Sequence, residues 1–431
     1  MKLTRTQIII IGIVIVLAVG LYFLFSIGGK PKIVQSTAVL TIWGTEGPVA
    51  MNDLISLYEG ERPGAKATYV QVDPAQYEAK LLAALAAGTG PDIFEIDDHS
   101  LARWKSVLAP MPTSTFAATF NLGAMQTYFP NVVGSDFISG GNLYGLPLSV
   151  DTLAMIYNGD YFNSAGIAVP PATWDDFDAD VAKLRQVSST GQITRAAAAI
   201  GGTKASIANA EDILYLLMLQ NGVQMTSADQ SSAQFADTQG AAAVNFYLQF
   251  SNTASPYYTW NDSMGDAFQS FVQGNTAIIF DYQSALAEIR QKAPFLNVGV
   301  AAMPQPSGAT IAVNYPKYEG LVAAKKGDVV NSWDFILLST IFGNSESAYL
   351  KDTGLPAAQR PAIATQQSGS DANLAMFAKQ ALSARSWYEA NDVRIDTIFD
   401  AMLQSILNGS ADVSTALRNA QESVTNVMTG R

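Results

Sequence analysis

The sequence predicts an α/β protein of two lobes, each a mostly parallel sheet flanked by helices, and three observations carry that reading. A chain of 431 residues is long enough for two or more domains with sizeable cores. Its folded part opens with a strand, helix, strand, helix, strand succession, an order that yields parallel strands with helices on their faces. An apolar run over residues 142–163, NLYGLPLSVDTLAMIYNGDYFN, is broken by Asp151 and Thr152, as where a backbone passes from one sheet to another.

Taken in order, residues 8–27 are uncharged and long enough to cross a bilayer core as one helix. Ser26-Ile27-Gly28-Gly29-Lys30 offers no small-residue cleavage pattern, so an uncleaved transmembrane anchor is expected rather than a signal peptide. Lys2 and Arg5 before the span and Lys30 and Lys32 after it leave its orientation undecided by charge. A polar linker to Thr37 leads into the first strand, VLTIW at residues 39–43. Met51, Leu54, Ile55 and Tyr58 then share one face of a helix that ends near Gly60 and Pro63. A second strand covers residues 67–72. Asp73-Pro74 starts the next helix, with Pro at its first position, and Tyr77, Leu81, Leu82 and Leu85 form its apolar face as far as Gly88. The third strand follows in GPDIFEI at residues 90–96. Beyond the crossing, helices are expected at 211–220 and 241–250, and a strand at 298–302 runs into Met303-Pro304-Gln305-Pro306, a candidate second crossover.

Composition excludes several functions. With 48% hydrophobic and 14% charged residues the chain is a folded globular protein. Its formal charge of −12 argues against nucleic-acid partners. No cysteine is present, which removes disulfides, thiol catalysis, thiolate metal sites and a lipid-modified Cys anchor. His99 is the only histidine, so it is expected as a cleft or capping residue rather than a catalyst, and no metal or cofactor is expected.

Several segments together resemble extracellular solute-binding proteins of carbohydrate ABC importers, the maltose-binding-protein-like group. They are Ala87-Gly88-Thr89-Gly90-Pro91-Asp92 before the third strand, Tyr144-Gly145-Leu146-Pro147 followed by Asp151-Thr152 and Tyr157-Asn158, Pro171-Ala172-Thr173-Trp174-Asp175-Asp176-Phe177, Phe271 with Gly274 and Ala277-Ile278, and Asn408-Gly409 followed by Ala416-Leu417 and Ala420-Gln421. Thr173 with Asp176 also reads as a capping box. The resemblance covers roughly residues 39–428, and its specificity lies in the order of individually weak motifs. It implies a type II periplasmic-binding fold that is a binder rather than an enzyme. Residues 1–37 would be anchor and linker, 38–150 plus about 305–350 one lobe, and 151–304 plus about 351–431 the other. It further implies a sugar or oligosaccharide ligand, ABC permease subunits as partners, an extracytoplasmic location at the cell membrane and a monomeric state.

A cleft between two open α/β lobes is lined where strands end at their carboxyl termini. That rule selects Glu46 after the first strand and Asp97 and Asp98 after the third. Glu46 has a solvated-loop alternative, and Asp97 or Asp98 a helix-capping one for residues 101–104. Asp151 at the crossing joins them. Sugar edges take carboxylates and amides, and sugar faces take aromatic rings. Trp260 in a turn-rich stretch and Tyr282 at a strand end are the corresponding candidates, and the resemblance implies two more, Tyr318-Glu319 before a strand and Trp387 before the penultimate helix. Trp43, Trp104, Trp174 and Trp333 fall within apolar periodicity and read as structural. Rival readings are a binder of a polyamine, peptide or metal chelate, a membrane-anchored glycan hydrolase using paired carboxylates, and a surface sensor or adhesin with the same fold.

Overall fold

The computed structural model describes residues 37–342 and 345–430. The expected transmembrane segment at 8–27 lies outside them, and no helix among the described residues is long and apolar enough to cross a membrane.

The first sheet forms as its sequence dictates. Strands β1 (Val39–Gly44), β2 (Lys66–Gln71) and β3 (Ile93–Asp97) run parallel, with β1 between the other two. Helix α1 (Pro48–Glu61) buries Met51, Leu54, Ile55 and Tyr58. Helix α2 (Pro74–Ala87) starts at an Asp73 cap whose carboxylate accepts from the Ala75 N–H at 2.9 Å, and it ends on Gly88 in the left-handed region at φ 73°. Strand β4 (Leu108–Ala109) lies at the far side, and β5 (Gly145–Pro147) carries the chain toward the crossing.

The crossing pairs β6 (Asp151–Thr152) with an incoming strand, β10 (Pro316–Lys317). Beyond β6, β7 (Ala154–Asn158) lies between β8 (Ile278–Asp281) and β9 (Val298–Ala301). Both of these pairings are antiparallel, which corrects the expectation of a mostly parallel second sheet. The cause is direction of travel: β7 leads away from the crossing, whereas β8 and β9 lead back toward it. Strand β11 (Glu319–Ala324) returns to the first sheet antiparallel to β3, β4 and β5.

Two apolar cores result. One holds Leu40, Ile42, Phe94, Phe137, Val322 and Trp333, and the other Ile156, Phe177, Leu214, Tyr247, Phe280 and Phe399. Met303, Val313 and Tyr315 belong to the second core and Tyr318 to the first, so the second crossing lies at Pro316–Lys317 instead of Met303–Pro306. Ile363, Ala378 and Ala381 pack in the first core, although 351–431 was expected in the second lobe. A third crossing follows, since Ala384 sits in the first core and Trp387 in the second. Gln380 fastens the crossings together. Its amide nitrogen donates to Thr152 Oγ1 at 3.1 Å and to the Leu153 carbonyl at 3.2 Å, and its oxygen accepts from the Met303 N–H at 3.0 Å.

Candidate functional site

Strand ends from both lobes and the crossing converge on one cavity of about 170 Å³. β1 stops at Gly44 and delivers Glu46, β3 delivers Glu95 and Asp97, and β8 delivers Tyr282. β10 and the start of β11 supply Lys317, Tyr318 and Glu319, and the register places Glu319 opposite Asp97. Glu95 and Asp97 share a face of β3 because side chains alternate along a strand. A Cβ on Gly44 would lie 2.3 Å from Glu95 Oε2, so a larger residue there displaces the Glu95 carboxylate.

This chamber is dominated by acceptors. Burial raises the Glu46 and Asp97 carboxyls above their ordinary range. Burial raises both Glu95 and Glu319, and the two hydrogen-bond as a pair, an interaction that lowers Glu95 and raises Glu319 as expected when one of them keeps the proton. The Thr45 N–H donates to Glu95 Oε2 at 2.9 Å and fixes its rotamer. Lys317 is the one cation among the described residues lining the chamber. Its Nζ stands 5.2 Å from the centre of the Tyr282 ring, within the field of Asp212, Asp97, Asp281 and Asp98. Tyr282 is itself anchored, its hydroxyl donating to Asp212 Oδ2 at 2.8 Å.

A second cavity of about 290 Å³ lies between the lobes on the other side of Tyr318, lined among others by Asp98, His99, Asp136, Trp387, Tyr388 and Glu389. The Tyr318 hydroxyl donates to Asp136 Oδ2 at 2.5 Å and forms part of the partition. Trp387 packs edge-on against Tyr215 and Phe399, and His99 stacks on Tyr315 with ring centres 5.3 Å apart. Burial lifts Asp98, Asp136 and Glu389 and holds His99 below its ordinary value. At the rim, Arg103 from the first lobe meets Asp392, the first residue of the helix Asp392–Leu407, with Nε to Oδ1 at 3.0 Å and a second nitrogen to Oδ2 at 3.2 Å. Arg103 also pairs with Glu78.

Glu46, Asp97, Asp151, Tyr282, Tyr318 and Glu319 therefore meet at the first chamber, and Asp98 and Trp387 at the second. Neither Asp97 nor Asp98 caps the short helix Leu101–Trp104, whose N-cap is Ser100. Asp151 has a structural task as well. Its carboxylate accepts from the N–H groups of Thr152, Gln283 and Ser284 at 2.8, 3.1 and 3.1 Å, which ties the Tyr282 loop to the crossing. Trp260 corrects the reading of it as a stacking residue. It is 1% exposed within the second core, and its indole N–H donates to Ser206 Oγ at 3.1 Å. Trp104, Trp174 and Trp333 are buried, and Trp43 packs half-buried against the first core. Sequence reasoning missed Glu95, Lys317, Asp136, Glu389 and Arg103. Only Glu95 carried a readable signal, as a carboxylate inside an apolar strand two residues before Asp97.

A family model described as bacterial extracellular solute-binding protein matches residues 43–336. A Brucella abortus chain described only as a binding protein is 27% identical over 259 residues, which is 58% of this chain and 59% of that one. The sn-glycerol-3-phosphate-binding periplasmic protein UgpB of Yersinia enterocolitica is 26% identical over 56% of this chain and 54% of its own length. The match thus spans less than two thirds of either relative. Among solved structures, the cyclic alpha-maltosyl-1,6-maltose binding protein of Arthrobacter globiformis superposes with a TM-score of 0.75 at 18% identity, covering 91% of this chain and 100% of that one. The sugar-binding protein MalE of Xanthomonas citri gives 0.74 at 19% identity, covering 91% and 98%. At such identities these two likenesses establish the two-lobe fold.

Proposed function

The chain belongs to the bacterial extracellular solute-binding protein family, whose members bind solutes and are not enzymes, and on that premise we propose that it captures a sugar or oligosaccharide between its lobes for an ABC importer. The observation that carries this reading is the chemistry of the first chamber. Glu46, Glu95, Asp97, Asp151 and Glu319 line it together with one ammonium, that of Lys317, and with Tyr282, Tyr318 and Tyr349 as rings. Carboxylates accept from sugar hydroxyls, and tyrosine faces cover C–H surfaces. A phosphorylated polyol of the kind named for the Yersinia relative would meet repulsion here, because Lys317 already lies among four carboxylates.

In this reading the first core with β11 forms one lobe and the second core the other, and they close over the ligand about the segments at Asp151–Thr152 and Pro316–Lys317. Residues 8–27 hold the protein at the outer face of the membrane, and permease subunits receive the closed form. Intrinsic fluorescence titration against neutral mono- and oligosaccharides and against sn-glycerol 3-phosphate tests it. Saturable binding of a neutral sugar with none for the phosphate is expected, and tight binding of the phosphate with no response to any sugar would overturn it.

A further inference from the structure

We propose that the second chamber selects a solute bearing a protonated amine beside hydroxyl or ring oxygens, in chemical class an amino sugar; this rests on the carbohydrate reading and narrows it. Three carboxyl groups converge there, Asp98 and Asp136 from the first lobe and Glu389 from the second, each at most 9% exposed. Asp136 is supplied with donors by Tyr318 and Ser386. Glu389 has only distant ones among the described residues, the Tyr315 hydroxyl at 3.4 Å and His99 Nδ1 at 3.6 Å. Asp98 accepts weakly from the Tyr318 N–H at 3.4 Å through Oδ1, whereas its Oδ2 has no hydrogen bond among the described residues and lies 3.2 Å from His99 Nε2. Of the nearby cations, Arg103 is paired with Glu78 and Asp392, and Lys105, on the chamber wall, donates to Ser139 Oγ at 2.8 Å. Burial favours the neutral form of these carboxyls in the empty chamber, and an ammonium entering among them lets them ionise against it.

The same wall makes the opposite demand once. Trp387 is 8% exposed, and its Nε1–H has no acceptor among the described residues. A ligand that answers both must place an ammonium against the carboxyls and an oxygen against the indole nitrogen. A neutral sugar brings no charge for the carboxyls to ionise against. A simple amine leaves the indole without an acceptor, and an N-acetylated sugar has lost the positive charge. The volume of about 290 Å³ lies near the lower end for small-molecule sites.

Isothermal titration of the full chain with glucosamine, glucose and N-acetylglucosamine, and with their β-1,4-linked disaccharides, is the test. The amine is expected to bind at least about tenfold tighter than its neutral and acetylated counterparts at pH 7, the factor associated with one charge-assisted hydrogen bond. Asp98→Asn and Glu389→Gln, each with a melting curve as a folding control, should each bring that ratio toward one by weakening the amine more than its neutral counterpart. Equal or tighter binding of the neutral or acetylated sugar overturns the inference and leaves the carbohydrate reading standing, as does an unchanged ratio in both variants. Failure of every sugar to bind overturns both.

Discussion

Replacing Arg103 with Ala removes the ion pair that joins the lobes at the rim of the cleft, and its effect can be worked from the contact. Exposed ion pairs contribute about 0.2–1 kcal/mol, and breaking a fully buried one costs about 3–5 kcal/mol. Arg103 and Asp392 are 19% and 14% exposed and meet through two nitrogens, which places the loss at roughly 1.5–3 kcal/mol. The closed arrangement alone bears that loss, because Arg103 and Asp392 belong to different lobes. Small-angle scattering of the unliganded variant should show a larger radius of gyration than wild type. Affinity for a cleft ligand should fall about tenfold to a hundredfold, since only the closed fraction binds tightly. The melting temperature should move little, as neither core is touched. An unchanged scattering profile together with unchanged affinity would refute the account of Arg103 as a clasp between lobes.

Trp260→Ala should destabilise the protein by about 3–5 kcal/mol in denaturant melts and leave the affinity of the surviving folded protein unchanged, as for a buried aromatic. Gly44→Ala should displace Glu95 from the Thr45 N–H, lowering stability by about 1–3 kcal/mol and ligand affinity with it, measured by melting and titration. Burial raises Asp151 to about 7, Glu211 to about 8 and Asp396 to about 6, so the folded state binds more protons than the unfolded one across this range. Their contribution to stability is therefore fully present below about pH 4 and is lost as pH rises toward 8, and calorimetry should find a higher melting temperature at pH 5 than at pH 8. A melting temperature that climbs steadily from pH 5 to 8 would contradict the placement of these groups.

What the sequence revealed of the fold is what is decided locally. The caps at Asp73 and Thr173 are set by residues within three positions, and Thr173 Oγ1 accepts from the Asp176 N–H at 3.2 Å as the capping-box spacing requires. The parallel start of the first sheet follows from short crossover helices. The antiparallel second sheet was not legible because β7 pairs with strands more than 100 residues onward, and no local pattern records direction. Trp260 misled for a physical reason. A turn-rich stretch reads as surface, yet here polar residues hold it inward: Thr259 Oγ1 accepts from the Ala197 and Ala198 N–H groups at 2.7 and 3.2 Å, and Asp262 accepts from Thr203 and Ser206. The candidate cavity was legible where strand ends locate it, at Glu46, Asp97 and Tyr282. Lys317 and Glu389 escaped because a lone charged residue beside a crossing looks the same as one on a solvated loop.

Hydrogen exchange of the full chain, free and saturated with whichever neutral or amino oligosaccharide binds, tests most directly that the ligand lies between the lobes. Protection is predicted in segments from both lobes and the crossing, at residues 45–47, 97–100, 282–284, 317–319 and 386–389. Protection confined to one lobe, or centred on the stretch around Trp260 with those five segments unchanged, would contradict it.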